Sequence, residues 1–356
     1  MEAPTNTPSN LSNPRIRPFK ISIPDSQITA LHQKLELASF PDELELDKFQ
    51  EWDMGAPLED IKRLTAHWKG PFDWRKAEQD LNDILPQYMT TVSVEGGFGM
   101  LMYILCISGV GFEKGERLFR YCFCMGPGSF IELKKVLPLL TQGDDDQPTF
   151  DVVAPSLPNF GFSPGISKSS KAAIGAPSIA RTMAIRYPKT IKALHLNFIP
   201  SPPPYPWRNP LLFLQGLLGF IIPPFSASNR QKIAITQTYL ERENAYARQQ
   251  DTYPQTLGYA LNDSPVGLLA WIYDKLHRWT EGYPWTDEEV LQWVSIYAFS
   301  KAGPAASLRI YHESVTKPDL TAYEEGVTWL SRDQVVSTRI PSCVKIAVAS
   351  FPGEIM

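Results

Sequence analysis

Residues 150–163 read FDVVAPSLPNFGFS. Phe150 to Ala154 is a β-branched, apolar run. It breaks at Pro155 into a loop that carries Pro158, Asn159 and Gly161, so the stretch spells strand, loop and turn. Downstream, RTMAIRYPKTIKALHLNF (181–198) gives a helix ending near Arg186, closed by Pro188, then a strand from Ile191 to Phe198. Upstream, LMYILCI (101–107) is apolar enough for a buried strand. LFRYCFCM (118–125) is a second candidate, with Arg120 an awkward interior residue. Helices alternating with apolar strands predict an α/β protein with a parallel sheet and helices on its faces.

On the N-terminal side, residues 1–16 are polar and proline-rich with no apolar core, which reads as a disordered tail rather than a signal peptide. FKISI (19–23) alternates like a short strand. A helix follows Pro24, with Asp25 as its expected cap. PLEDIKRLTAHWKG (57–70) and FDWRKAEQDLNDIL (72–85) read as two more helices, with Pro57 and Asp73 near their starts, and MTTVSVEG (89–96) as a strand. Residues 17–95 thus hold helices that need a larger partner to pack on. On the C-terminal side PSPPPYPW (200–207) is a stiff linker, and 226–315 read as successive helices. Asp287, Glu288 and Glu289 fall in the first turn of one of them, as the helix dipole favours.

The chain has 356 residues, 43% of them hydrophobic, and a net charge of −4. That is enough for a real core in one large domain or two. No Lys/Arg-rich run appears, which argues against nucleic acid as a partner. Cys106, Cys122, Cys124 and Cys343 form neither a disulfide framework nor zinc spacing, so reduced thiols and a cytoplasmic setting are expected. LLFLQGLLGFIIPPF (211–225) is uncharged but shorter than the ~20 residues of a bilayer span, and reads as a buried or lid segment. FCMGPGSF (123–130) has the Gly-Pro-Gly-Ser of a turn that exposes backbone N–H groups.

These stretches resemble a family. NFIPSPPP (197–204), PQTLGYALNDSPVGLLAWIYDKLHRWT (254–280) and FSKAGPAASLRIYHES (299–314) look like epoxide hydrolases of the microsomal type, as found in fungi. PFKISIPD (18–25) and FDWRKAEQDLN (72–82) resemble that family's N-terminal meander, and VVAPSLPNFGFS its loop after the third core strand. The resemblance implies an α/β-hydrolase fold with a helical cap. It lays out a meander at 17–95, a first part of the core at 96–199, shortened after Ser163, a cap at 200–320 and the start of a second core part at 321–356. It implies water addition to a small apolar epoxide, with no cofactor and no metal. Membrane spans are not expected, and a homodimer stays open. Such an enzyme would serve secondary metabolism or detoxification.

Carried over residue by residue, the resemblance assigns Tyr246 and Tyr311 as the cap tyrosines that hydrogen-bond the oxirane oxygen. It assigns Gly126, Pro127 and Gly128 to the oxyanion loop, where the family reads His-Gly-Trp-Pro-Gly-Ser and this chain reads Cys124-Met125-Gly126-Pro127-Gly128-Ser129. The family nucleophile is an Asp in Gly-Gly-Asp-Trp-Gly. Here only PGISKSSKAAI stands between Ser163 and Gly175, too short for a helix of ~11 residues and a strand of ~5. Ser178 is the one hydroxyl near that turn. It lacks Gly-x-Ser-x-Gly spacing, and capping the following helix is its expected work. The family's His and its acid lie beyond a stretch like VKIAVASFPGE (344–354), and the sequence ends at Met356. Of the five histidines, only His312 falls near the expected site, and adjacency to Tyr311 on a helix should turn it elsewhere. Three readings fit these departures: a hydrolase with a rearranged site, a non-catalytic relative that binds an apolar ligand, and an imperfect translation of an intact gene. A core so shortened is expected to be poorly soluble or inactive.

Overall fold

The computed structural model describes residues 16–45, 51–94, 99–108, 119–122, 128–142, 149–166, 176–196, 205–207, 209–221, 225–280, 282–315 and 338–349. In chain order the elements are β1 (Ile16–Phe19), α1 (Asp25–Glu36), α2 (Leu58–Lys69), α3 (Trp74–Ile84), β2 (Gln87–Val94), β3 (Gly99–Ser108) and β4 (Phe119–Cys122). A 3₁₀ turn (Phe130–Leu133), α4 (Leu137–Thr141), β5 (Phe150–Pro155), α5 (Ala176–Arg186) and β6 (Ala193–Leu196) follow. Then come α6 (Pro210–Ile221), α7 (Phe225–Thr238), a π-helical turn (Tyr239–Glu243), α8 (Ala245–Thr252) and α9 (Pro254–Asp263). The last are α10 (Pro265–Arg278), α11 (Asp287–Ala298), a 3₁₀ turn (Ala306–Leu308), α12 (Arg309–Val315) and β7 (Lys345–Val348).

Contacts divide the chain into two compact units. The first takes Met1–Ser170, Pro254–Arg309 and Leu320–Tyr323; the second takes Lys171–Tyr253, Ile310–Asp319 and Glu324–Met356. Within 200–320, the residues up to Tyr253 and Ile310–Asp319 fall in the second unit, and Pro254–Arg309 in the first.

In the first unit five strands lie in the order β1-β2-β3-β5-β4. β1 to β3 and β5 pair antiparallel, and only β4 and β5 run parallel. This departs from the parallel sheet read from sequence, and the connections explain it. Only residues 95–98 separate β2 from β3, a link that can join antiparallel strands alone. Between β4 and β5 stand a 3₁₀ turn and α4, long enough for a crossover. Residues alternate across the sheet. Ile104, Cys106, Val152 and Ala154 face the main core, while Leu105, Ile107 and Tyr88 form a small cluster of their own. Burial pushes the Cys106 thiol up to about 12, so it is an inert core residue.

Helices of the meander and helices from beyond residue 254 share this core. Leu64 on α2, Leu81 on α3, Leu269 on α10 and Leu291 on α11 are each fully buried in the same cluster. The segment after β1 is extended but does not lengthen the strand, as FKISI had suggested. Its edge is closed by side chains instead: Asn82 accepts from Ile21 N–H and donates to Ile21 O, both at 2.9 Å, and Glu78 accepts from Ile23 N–H at 2.6 Å. These bonds hold Ile21 and Ile23 inward without a strand partner. Asp25 lies inside α1, whose N-cap is Pro24, and gives no capping bond. Asp73 does cap α3, accepting from Lys76 N–H at 3.2 Å.

α11 opens with a capping box. Thr286 Oγ1 accepts from Glu289 N–H at 3.2 Å and Glu289 answers the Thr286 N–H. Thr286→Ala is expected to cost about 1 kcal/mol in urea unfolding, and an unchanged midpoint would show the box to be idle.

In the second unit β6 pairs with β7 in parallel, Ala193 opposite Lys345. Ala184, Leu194, Leu196, Ile340 and Val344 make a small core there. α6 is not buried, one of the two readings its sequence allowed. Its residues are apolar on every face, so packing on α7 cannot cover them, and Leu211 remains 76% exposed. No described helix is long and apolar enough to cross a membrane.

Candidate active site

The second unit brings three phenols together. Tyr311, on α12, donates to the hydroxyl of Tyr246, on α8, at 3.3 Å. Their rings meet edge-on, with centroids 5.7 Å apart and planes at 88°. On the other side the hydroxyl of Tyr239 stands 3.0 Å from that of Tyr246. Burial, then Tyr311, then Tyr239, push the Tyr246 phenol well above the ordinary tyrosine range. Its hydrogen therefore stays on oxygen at any working pH, and the group is a donor rather than a base.

The local chain explains why these groups meet. α7 runs into the π-helical turn Tyr239–Glu243, and Asn244 breaks the geometry (φ −84°, ψ 0°) before α8 restarts the helix. Irregular turns of this kind inside a helix recur at functional sites. His312 follows Tyr311 but serves another bond: its Nδ1 lies 2.8 Å from the Asp251 carbonyl. A carbonyl only accepts, so Nδ1 carries the hydrogen and the ring is tied to the last turn of α8.

The other residues singled out from sequence lie elsewhere. Ser178 falls in the first turn of α5, inside the helix rather than ahead of it. Gly126 and Pro127 lie outside the described residues. Gly128 is described, in the first unit, and two bonds fix the turn around it. Its carbonyl accepts from Leu157 N–H at 3.4 Å, and Phe130 N–H donates to Ser156 Oγ at 3.2 Å. The strand–loop FDVVAPSLPNFGFS thus braces the Gly-Ser turn. Inside that loop Ser163 is fully buried, accepting from Ile104 N–H and donating to Ser156 O, both at 2.9 Å.

Two groups were missed from sequence. Glu132 closes a capping box with Ser129, and a Ser-x-x-Glu spacing after the turn signalled it. Its carboxyl is packed so close to the turn that a Cβ on Gly128 would collide with Glu132 Oε1. Burial pushes that carboxyl up to about 8, against a weaker pull from the Ser129 N–H. Tyr239 is the other. Seven residues before Tyr246, it meets that phenol only through the irregular turn between them, which no sequence motif marks.

Comparison with known proteins bears on this geometry. Residues 16–108 match the family description "Epoxide hydrolase N terminus". A putative epoxide hydrolase of Stigmatella aurantiaca is 31% identical over 333 residues, spanning 84% of this chain and 69% of that protein. Epoxide hydrolase 1 of Sus scrofa is 26% identical over 99% of this chain and 82% of its own length. The structure of Aspergillus niger epoxide hydrolase superposes with a TM-score of 0.69 over 95% of this chain and 84% of that one, at 24% identity. The sheet order with its one crossover pair, the meander joined to that sheet and this breadth of similarity agree: the chain has the α/β-hydrolase fold and belongs to the microsomal-type epoxide hydrolase family.

Proposed function

We propose that this chain takes a small apolar epoxide, with Tyr246 and Tyr311 giving hydrogen bonds to the ring oxygen, and that the reaction served is water addition to a vicinal diol. The observation that carries the reading is the 3.3 Å approach of the two hydroxyls. Two phenols so close can converge on one acceptor atom. A strained ether oxygen is a poor leaving group until donors stabilise the charge that develops on it as a C–O bond breaks. The raised Tyr246 phenol suits this work because it stays neutral. Water supplies the oxygen of the new C–O bond, and its hydrogens end on the two product hydroxyls. In the family an aspartate attacks first and a histidine frees the ester. The span between Ser163 and Gly175 carries no Gly-Asp-Trp-Gly for that step.

That departure favours a second reading, a relative that binds the epoxide and does not turn it over. Incubation with styrene oxide in heavy-oxygen water separates the two. Labelled diol at a protein-dependent rate supports hydrolysis, and Tyr311→Phe should then slow it several-fold or more. Ligand-dependent thermal stabilisation without labelled diol supports the binder. Stabilisation by the epoxide that Tyr311→Phe leaves intact would remove the phenol pair from either reading.

A further inference from the structure

We propose that Tyr239 is a positioning residue: it donates its phenolic hydrogen to the Tyr246 oxygen and so commits the Tyr246 hydrogen to the ligand. The proposal rests on the reading of Tyr246 and Tyr311 as a donor pair, and extends it to a residue which the family pattern leaves without a role.

The geometry is specific. Positions seven apart on a regular α-helix share a face but lie about 10 Å apart along the axis, and their side chains lean the same way. Between Tyr239 and Tyr246 the π-helical turn and the break at Asn244 replace the regular path, and the two oxygens close to 3.0 Å. Tyr239 is part-buried at this contact while its chain neighbour Leu240 is 60% exposed, so the turn directs the phenol inward.

The hydrogen inventory then decides the direction. A hydroxyl has one hydrogen and two lone pairs. For Tyr246 to give its hydrogen to a ligand oxygen, its contact with Tyr239 must run from Tyr239 to Tyr246. Accepting that bond also polarises the Tyr246 O–H and strengthens the bond it gives. Tyr311, which donates to Tyr246 in the free protein, can turn its hydrogen to the same ligand atom without leaving the Tyr246 oxygen unsupported, because Tyr239 remains. The third phenol thus keeps the pair oriented when the ligand competes for it.

The test compares two probes by calorimetry on the full chain: phenylacetamide, whose carbonyl oxygen accepts from phenols, and ethylbenzene, which offers no acceptor. Tyr239→Phe is expected to weaken phenylacetamide about three- to tenfold, the worth of one polarising hydrogen bond, and to leave ethylbenzene unchanged. 3-Fluorotyrosine at position 239, a more acidic phenol of nearly the same shape, should tighten phenylacetamide alone. Equal weakening of both probes by Tyr239→Phe means packing and overturns the proposal. So does a phenylacetamide affinity that falls in Tyr311→Phe but not in Tyr239→Phe, which leaves the donor pair standing. Phenylacetamide affinity indifferent to both substitutions overturns the donor pair and this proposal with it.

Discussion

Resistance to urea is expected to fall as pH rises from about 4.5 to about 8, and Glu132→Gln is expected to remove most of that fall. The carboxyl sits behind the Gly128–Ser129 turn, with Oε2 buried and lacking a partner among the described residues. Burial is the main cause of its shift, so the protonated form is the one the fold favours. A carboxyl whose folded value lies above its unfolded value stabilises fully below the unfolded value. That stabilisation is lost as pH climbs through the folded one. The interval from the ordinary 4.5 to about 8 corresponds to roughly 5 kcal/mol, an order-of-magnitude figure. Glutamine keeps the size and the acceptor for Ser129 N–H but cannot ionise. The difference between the wild-type and variant profiles isolates this group from the histidines. Parallel profiles would mean that Glu132 is ionised in the fold and that water reaches it.

The second large effect concerns the shared core of the first unit. Leu269→Ala on α10 is expected to cost about 2–5 kcal/mol, because a fully buried leucine leaves a cavity that its neighbours fill only in part. The informative readout is remote in sequence. Leu269 belongs to one cluster with Leu64 on α2 and Leu81 on α3, so hydrogen exchange across Leu58–Lys69 should speed up together with that of α10. Exchange confined to α10 would show that the meander folds on its own.

Much of this architecture was legible because local signals agreed. Asp73 before a helix, the acidic first turn at Asp287, Glu288 and Glu289 and the break at Pro155 each name their own structure, and each is found. Strand direction was not legible, because pairing is set by the link between strands and not by the strands' own residues. The exposure of α6 was hidden for a related reason: an apolar helix announces a need for cover, not whether a partner exists. The flanks of Tyr246 and Tyr311 lead to the expectation that the two belong together, and their hydroxyls do meet at 3.3 Å. Tyr239 was not legible, since its approach depends on one irregular turn that no propensity marks. Glu132 had its motif in plain view, but its unusual proton affinity comes from packing.

The division into units has a consequence for how this protein is made. The first unit's helices α1–α3 emerge from the ribosome early, yet their core is completed only by Pro254–Arg309. β6 waits likewise for β7, about 150 residues later in the sequence. The first unit cannot close before Pro254–Arg309 has left the ribosome, nor can β6 pair before β7 has, so nascent apolar surface stays uncovered through much of translation. Holding chaperones should therefore occupy this polypeptide until those late segments emerge.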